Sequence, residues 1–334
     1  MKKPLVSIIT PCWNGEEYVA RYFESILAQT YDCLEVIFIN DGSTDRTEEI
    51  ALMYGDRLKN KGYEFTYIFQ ENLGQAAALN AGLKIFKGDY LTWPDSDDFL
   101  SAESIEKKVK FLETYMEHGM VRSDAYLFNE SNINKPIGFI SGKKPNRFRE
   151  DLFDDLILER DVYFAPGCYM ARTESFVRAN PGKYILPSRA GQNWQMLLPI
   201  AYYFRCGYID EPLYNYVIRA QSHSRRGDGK ASELTKLNAH SEILKNVIST
   251  LCLDKQHYYG LIDAKYLHKK LRLAAKYVDS ELGRKSFSEL KSLHEETPKD
   301  YLNYLASKNR MLSTAILGTW RLYSKAKQIV IRTL

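Results

Sequence analysis

Short apolar runs alternate with helical patterns along the first third of the chain. Runs of strand length cover residues 5–10 and 34–40, and a shorter run covers residues 65–69. Between the first two runs, apolar residues at helical spacing predict one helix with a buried stripe: Tyr18, Val19, Tyr22, Phe23, Ile26 and Leu27. Continuous apolar strands that alternate with helices are typical of a mostly parallel sheet covered on both faces. The pattern therefore predicts an α/β protein.

Three further helices are indicated after the second strand. Asp45 with Glu48 has the spacing of a capping box, and apolar patterns follow at residues 74–86 and 105–116. The predicted strands end in polar or glycine-rich turns, among them residues 10–14 and 40–43. Ligands of open parallel sheets bind beyond the carboxyl ends of the strands, so we expect these turns to share one site.

A third turn adds three carboxylates to this expected site. The apolar run of residues 90–93 leads directly into Asp95, Asp97 and Asp98. Clustered like charges repel unless a cation lies between them, and carboxylate oxygens suit Mg²⁺ or Mn²⁺. The turn therefore predicts a metal-diphosphate site. The alternative is an acidic turn that caps the following helix, because Asp and Ser favour that position.

Five ordered blocks of sequence resemble a known family. They are Val6-Ser7-Ile8-Ile9-Thr10-Pro11-Cys12-Trp13-Asn14, Ile26-Leu27-Ala28-Gln29-Thr30-Tyr31, Glu35-Val36-Ile37-Phe38-Ile39-Asn40-Asp41-Gly42-Ser43-Thr44-Asp45, Asn72-Leu73-Gly74-Gln75-Ala76-Ala77-Ala78-Leu79-Asn80 and Asp95-Ser96-Asp97-Asp98. Together they resemble the family 2 glycosyltransferases. The resemblance implies the Rossmann-like GT-A fold and an inverting transferase that usually needs a metal and a nucleotide-diphosphate sugar. It covers roughly the first 120 residues well and the next 100 loosely.

The resemblance assigns donor binding to residues in all of these turns. They are Pro11, Trp13, Asn14, Asp41, Asn72, Gly74, Gln75, Asp95 and Ser96. Within this set, Trp13 would lie against the nucleobase, Asp41 would accept from a uracil ring N–H, and Asp95 would hold the ribose. The alternative is that Trp13 is ordinary packing and that Asp41 only begins an Asp-Gly turn.

The same resemblance implies three metal ligands. Asp97 would bind the ion with help from Asp98, and a downstream His often completes the site on a loop that closes over the donor. Residues 214–224 resemble that closing segment, which makes His223 the candidate. A surface or hydrogen-bonded His is the alternative.

The catalytic base is where the chain departs from the family. Family members commonly present Glu-Asp before an aromatic residue, whereas this chain has Gln192-Asn193-Trp194. An amide cannot act as a general base at neutral pH. Three interpretations remain: the base is Asp161, Glu174 or Asp210, which we prefer; the acceptor group differs; or the chain binds the donor without transferring sugar. Asn193 and Trp194 are then expected to shape the acceptor pocket, unless Trp194 only opens an amphipathic helix.

Length and pattern predict two regions. Residues 1–228 would form the GT-A catalytic domain, with a nucleotide-sugar half at about 1–120 and an acceptor half at about 120–228. Residues 229–334 have a wholly helical pattern. The final stretch, 311–334, is basic and amphipathic and has no acidic residue. Such a segment can lie on an anionic membrane surface, or it can pack on the catalytic domain or on a second copy in a homodimer.

Composition narrows the setting. The net charge of +4 is too small to suggest a nucleic-acid protein, and the five scattered Cys residues indicate neither disulfides nor zinc. No apolar run reaches membrane-spanning length, and Met1-Lys2-Lys3 leads directly into a strand rather than a signal sequence. We therefore expect a cytoplasmic protein that also binds peripherally to the inner face of the cell membrane if residues 311–334 serve that purpose.

These observations combine into one expected function. The chain would move a sugar, with inversion, from a nucleotide-diphosphate donor, with UDP-sugar preferred, to a saccharide acceptor. Family context favours a lipid-linked saccharide in cell-surface polysaccharide synthesis, with Mn²⁺ or Mg²⁺ as cofactor. The alternative is a non-catalytic nucleotide-sugar sensor or partner subunit, because Asn193 replaces a carboxylate. A nucleotidyltransferase is less favoured, since no Gly-rich loop with a basic residue follows the first strand.

Overall fold

The computed structural model of the chain describes residues 3–219, 229–316 and 318. Contacts divide the chain into two compact units, Met1–Ser224 and Arg225–Leu334. His223 and most of the basic segment 311–334 lie outside the described residues, so their roles stay predictions. Among the described residues, no helix combines the length and the apolar character needed to cross a membrane.

The first unit alternates strands and helices, as the apolar pattern predicts. Its strands are β1 Val6–Cys12, β2 Leu34–Asp41, β3 Glu64–Gln70, β4 Tyr90–Thr92, β5 Phe99–Leu100, β6 His118–Asn129, β7 Gly138–Phe139, β8 Tyr169–Arg172 and β9 Arg205–Ile218. Its α-helices are α1 Val19–Leu27, α2 Thr47–Asn60, α3 Gln75–Leu83, α4 Ser104–Thr114, α5 Phe153–Leu158, α6 Thr173–Ala179 and α7 Asn193–Tyr203. The predicted α/β class is confirmed.

One sheet joins these strands in the order β3-β2-β1-β4-β8-β6-β9-β5, and β7 pairs with β6. β1 is parallel to β2 and β4, and β2 is parallel to β3. β8 is antiparallel to both β4 and β6, while β6 and β9 are parallel to each other. β6 and β9 therefore run in the direction of β1 and β4. The carboxyl ends of all five strands β1, β2, β4, β6 and β9 consequently lie at one edge of the sheet.

Close packing of α3 on β1 helps to position the turns at this edge of the sheet. All seven residues of β1 are buried, and α3 packs directly against that strand. A Cβ added at Gly82 of α3 would lie 2.4 Å from Ile9 Cγ2, so only glycine allows this approach. Asn80 of the same helix exchanges two hydrogen bonds with Ile185 backbone groups. Both residues therefore serve the packing of α3.

The predicted capping box at the start of α2 does not form. The helix begins at Thr47, and Asp45 Oδ1 accepts a hydrogen bond from the Thr47 N–H at 3.0 Å. Arg46, and not Asp45, occupies the position before the first helical residue, and its side chain makes no capping hydrogen bond. A helix start that is predicted from a sequence pattern alone is often wrong by one or two residues.

A lysine is buried beneath the sheet next to the turn of residues 166–168. The Lys108 ammonium donates to the Gly167 carbonyl at 2.7 Å and to Ser104 Oγ at 3.1 Å, and the side chain is inaccessible to solvent. Burial lowers the pKa of Lys108 from its usual value to about 8. Two oxygens thus solvate a buried ammonium whose proton is lost more easily than that of an exposed lysine.

The second unit is helical, with α8 Lys230–Thr250, α9 Lys255–Tyr277, α10 Ser280–Ser292 and α11 Pro298–Ala306. Side-chain caps mark the starts of its later helices: Asp254 before α9, Asp279 before α10, and a reciprocal Thr297–Asp300 box at α11. A salt bridge of 2.5 Å joins Lys245 near the end of α8 to Asp263 in the first half of α9. The two helices are therefore antiparallel neighbours.

Candidate active site

Three carboxylates converge in the turn that follows β4. One oxygen from each of Asp95, Asp97 and Asp98 lies within 4.8 Å of the other two. Burial and the neighbouring Asp97 carboxylate raise the pKa of Asp95 to about 8, and burial also raises the pKa of Asp97. The described residues therefore do not supply enough positive charge to keep this cluster fully ionised.

Asp98 is the most deeply buried of the three. Its Oδ1 accepts a hydrogen bond of 2.7 Å from the Val217 N–H near the end of β9. The Tyr214 hydroxyl lies nearby, but no hydrogen bond of normal geometry reaches Asp98 Oδ2 from any described residue. Burial, followed by the charges of Asp97 and Asp95, raises the pKa of Asp98 well above its usual range. A buried oxygen without a donor next to two carboxylates fits a metal ion.

Two arginines among the described residues place positive charge beside the cluster. Arg21 of α1 donates to the Asp97 backbone carbonyl at 2.5 Å. The guanidinium of Arg219, directly after β9, lies 3.6 Å from Asp97 Oδ2 and packs over the Tyr18 ring, 4.2 Å from its centroid. Sequence analysis missed both arginines, because their partners are more than seventy residues away along the chain.

Hydrogen bonds connect the predicted donor turns to one another. The Asn14 N–H donates to Ser43 Oγ and the Asn14 side chain accepts from the Thr44 N–H, both at 2.9 Å. Gln75, the first residue of α3, donates to Asp95 Oδ1 at 2.5 Å. Pro11 is buried in β1, Trp13 follows that strand half-buried, and Ser96 is buried in the acidic turn. The structure thus brings the predicted donor residues together at one edge of the sheet.

Asp41 anchors the turn that precedes α3. Its Oδ1 accepts from the Gln70 side chain at 2.7 Å and from the Leu73 N–H at 3.0 Å, and its Oδ2 accepts from the Gly74 N–H at 2.9 Å. Gly74 has φ +91°, which explains the glycine before this helix. Three protein donors occupy most of the four acceptor positions of a carboxylate, and Asp41 is only 3% exposed. The side chain of Asn72 in the same turn accepts from Arg189 at 3.0 Å.

The three candidates for the base lie in different places. Glu174 follows β8, which is antiparallel to β4, and the adjacent Thr173 N–H donates to the Asp89 carbonyl at the beginning of β4. Glu174 is therefore at the opposite edge of the sheet from the acidic cluster, separated from it by the length of β4. This position is too remote for a proton acceptor in a reaction at the cluster, and the cause is a strand direction that the sequence pattern does not reveal.

Asp210 and Asp161 are held in ion pairs. Arg147 binds Asp210 through two nitrogens, Lys143 adds a contact of 2.8 Å, and together they lower the pKa of Asp210 to about 2. Asp210 also lies seven residues before Val217 on β9, which corresponds to roughly 20 Å along the strand. Hydrogen bonds from Lys144 and Asn146 lower the pKa of Asp161. Carboxylates stabilised in this way are poor proton acceptors.

Asn193 begins α7 and donates to the Phe164 carbonyl at 3.1 Å. Its Oδ1 is buried without a hydrogen-bond partner among the described residues. Trp194 is buried and its indole N–H donates to the Leu156 carbonyl at 3.1 Å, so this side chain belongs to the packing of α7. Residues 194–201 of α7 are all buried, so Trp194 lies at the start of a core helix and not of an amphipathic one.

Two carboxylates beside Arg219 were not predicted: Glu17, 3.8 Å from Nη2 of Arg219, and Glu130. Glu130 directly follows β6, and its N–H donates to the Ile218 carbonyl at 3.2 Å. Its Oε2 lies 3.6 Å from Nε of Arg219, the residue that also contacts Asp97. Glu130 therefore lies at the same edge of the sheet as the donor turns. Glu130 directly follows a strand end, but the sequence analysis predicted no strand at residues 118–129.

Parts of this chain are similar in sequence to known proteins. The family model described as Glycosyl transferase family 2 matches residues 7–177. An uncharacterized glycosyltransferase of Rickettsia typhi is 45% identical over 109 residues, which is 33% of this chain and 32% of that protein. Glycosyltransferase GlyA of Streptococcus pneumoniae is 36% identical over 232 residues, which is 66% of this chain and 31% of that protein. The chain thus spans about a third of the length of these relatives.

Solved structures show the same fold at low sequence identity. S. aureus TarS 1–349 in complex with UDP-GlcNAc has a TM-score of 0.60 at 15% identity, over 95% of this chain and 92% of that one. Mannosyltransferase PcManGT from Pyrobaculum calidifontis, in complex with GDP-Man and Mn²⁺, has a TM-score of 0.58 at 15% identity, over 100% of this chain and 83% of that one. These likenesses establish the GT-A fold. Because the family model covers 171 residues in the first unit, the chain belongs to glycosyl transferase family 2.

Proposed function

We propose that this chain transfers a sugar, with inversion, from a nucleotide-diphosphate donor to a saccharide acceptor. The observation that carries the proposal is the cluster of Asp95, Asp97 and Asp98 at the sheet edge where the donor turns are joined by hydrogen bonds. Two structural neighbours hold sugar nucleotides, one with uridine and one with guanosine. They support the donor class, and we keep a UDP-sugar as the preferred donor on the grounds of Asp41.

The residues present fit a divalent cation. Asp97 and the buried Oδ2 of Asp98 would hold Mn²⁺ or Mg²⁺, and His223 is a proposed third ligand outside the described residues. When bound, the ion offsets negative charge on the departing nucleotide diphosphate. Arg219 contacts Asp97 at the same place, so it keeps the cluster partly neutralised when no ion is bound.

The protein's own groups would bind and orient the donor. Trp13 offers a half-buried ring for the nucleobase, and Asp41 would accept from a base N–H. Gln75 holds Asp95 in place for the ribose. Asp41 also accepts from the Gly74 N–H, which holds the turn before α3. The Asp41 side chain therefore has both a structural and a binding role in this proposal.

We propose Glu130 as a further candidate for the base. Inversion requires a carboxylate that takes the proton of the acceptor hydroxyl while that oxygen attacks the anomeric carbon. Asn193 cannot accept this proton, and Glu174 lies at the other edge of the sheet. Glu130 lies at the correct edge, is 40% exposed, and is linked through Arg219 to the acidic cluster. Its partial exposure leaves it accessible to an acceptor.

The acceptor and the setting are proposed on family context. We keep a lipid-linked saccharide of cell-surface polysaccharide synthesis as the acceptor, a cytoplasmic location, and peripheral binding of residues 311–334 to the inner face of the membrane. We also propose that residues 1–228 form the catalytic domain. The alternative role of residues 311–334 is to form a homodimer. The rival function is a non-catalytic nucleotide-sugar sensor, motivated by the amide of Asn193.

Slow donor hydrolysis separates the two functions. The chain is incubated with UDP- and GDP-sugars and Mn²⁺ without acceptor, and release of free nucleotide diphosphate is measured. A transferase leaks sugar to water, and this release should disappear in Asp97→Ala. Tight donor binding with no release from any sugar nucleotide would favour the sensor and contradict the transferase.

A further inference from the structure

The second unit contains a concave surface between α8 and α9 that the proposed transfer does not use. Four residues of each helix line it: Glu233, Lys236, Leu237 and His240 from α8, and Lys269, Arg272, Leu273 and Lys276 from α9. We call these eight residues the basic groove. On both helices they follow the spacing i, i+3, i+4, i+7, which places them on one face. The groove holds about 260 Å³ of water-accessible space.

The antiparallel pairing of the two helices sets basic side chains on both walls. Lys276, the last groove residue of α9, binds Glu233, the first groove residue of α8, at 2.6 Å. This pairing brings His240 opposite Lys269 at the other end of the groove. Between the ends, buried Leu273 provides an apolar floor. The groove therefore combines an apolar base with polar, cationic walls.

Its charge is strongly unbalanced. Three Lys and one Arg face one Glu, which gives a net charge of +3 with His240 neutral. That Glu lies at one end, where it binds both Lys276 and the Tyr277 hydroxyl. A sphere of about 260 Å³ is about 8 Å across, comparable to the screening length of about 8 Å at physiological salt, so neighbouring cations in the groove are only partly screened. The cations therefore repel one another, and an anion bound among them would relieve that repulsion.

We propose that the basic groove binds the phosphate group of a small ligand, a phosphomonoester or phosphodiester. The planar fork of Arg272 suits two phosphate oxygens, and the lysines contribute further charge-assisted hydrogen bonds. The volume accommodates a phosphate with a short carbon substituent, since one water occupies about 30 Å³. Leu237 and Leu273 would contact that substituent. A polyol phosphate and a phospholipid headgroup share this chemistry. The proposal goes beyond sugar transfer and does not depend on it.

The test compares two double charge reversals in the full chain. Lys269→Glu with Arg272→Glu changes the groove. Arg284→Glu with Lys285→Glu is the matched control, because both side chains are exposed on α10 outside the groove. Binding of inorganic phosphate and of glycerol 3-phosphate is measured by calorimetry. Binding to vesicles of phosphatidylglycerol and of phosphatidylcholine is measured by sedimentation.

We expect the groove variant to lose at least tenfold in affinity and the control pair to change less than twofold. Loss confined to phosphatidylglycerol vesicles identifies a lipid headgroup, whereas loss with glycerol 3-phosphate identifies a soluble ligand. The proposal is overturned if none of the probes binds the native chain, or if both double variants lose affinity equally. Circular dichroism checks the fold, and the milder pair Lys269→Gln with Arg272→Gln gives the same comparison if the Glu pair unfolds.

Discussion

Removing Arg219 should affect the protein differently with and without a divalent cation. Its guanidinium lies 3.6 Å from Asp97 Oδ2, and the two side chains are 20% and 30% exposed. At that distance the attraction is about 5 kcal/mol for an effective dielectric constant of about 20. Desolvation and side-chain entropy offset most of it, so we expect Arg219→Ala to destabilise the metal-free protein by about 1–2 kcal/mol. This corresponds to a fall in melting temperature of about 3–6 °C.

With saturating Mn²⁺ the difference should shrink, because the ion replaces the lost charge beside Asp97. The variant should also bind Mn²⁺ alone about three- to tenfold more tightly, since the guanidinium no longer competes for that carboxylate. Thermal shift in chelator and in Mn²⁺, with calorimetric titration of the metal, measures both effects. Arg205→Ala is the control, because Arg205 is 67% exposed and its contact with Glu150 is long, at 3.8 Å. Equal destabilisation in chelator and in Mn²⁺, or weaker metal binding, would refute the reasoning.

Three other substitutions test the base, the buried lysine and the helix contact. Glu130→Gln should lower turnover at least 100-fold with donor binding intact, whereas Asp210→Asn should retain most activity; the reverse ranking in steady-state kinetics would count against Glu130. Lys108 titrates near pH 8 when folded and near 10.5 when unfolded, so its folded form gains stability as pH rises through that window. Lys108→Met lacks this gain. Its free energy of unfolding in urea, relative to that of the native chain, should therefore fall by about 2–3 kcal/mol between pH 7 and pH 10. If the difference between the two free energies is the same at both pH values, the pKa of Lys108 is not lowered. Gly82→Ala should destabilise by about 1–2 kcal/mol through the clash with Ile9, whereas Gly260→Ala, with open space around it, should stabilise by about 0.5–1 kcal/mol; equal changes in denaturant midpoint would contradict the close contact.

β1 and β2 were predictable because every residue in them is buried, whereas half-exposed β3 was indicated by a shorter apolar run. The predicted runs at 5–10, 34–40 and 65–69 agree within two residues with β1, β2 and β3. Strands buried on both faces have continuous apolar sequences, and each ends where polar side chains begin. The same logic located Asp95 and the other donor turns. Short β5 and β7, of two residues each, carry no comparable signal.

Strand direction and long side chains account for what the sequence could not reveal. Glu174 follows a strand as Asp95 does, but β8 runs antiparallel to β4 and delivers it to the other edge. No residue pattern within a four-residue strand states its direction. Arg219 reaches Asp97 from 122 positions away, and such contacts depend on the packed sheet. Glu130 becomes a candidate only once β6 and β9 are known to be parallel neighbours.

Metal-dependent nucleotide binding tests the central claim most directly. Calorimetric titrations with UDP, GDP and TDP are made in Mn²⁺ and in chelator, for the native chain, for Asp97→Ala and for the exposed control Asp56→Ala. The account predicts that one nucleotide binds in Mn²⁺, that chelator abolishes the binding, and that only Asp97→Ala loses it. Absence of binding by all three nucleotides, or binding equal in chelator and in Asp97→Ala, would contradict a metal-diphosphate site at the end of β4.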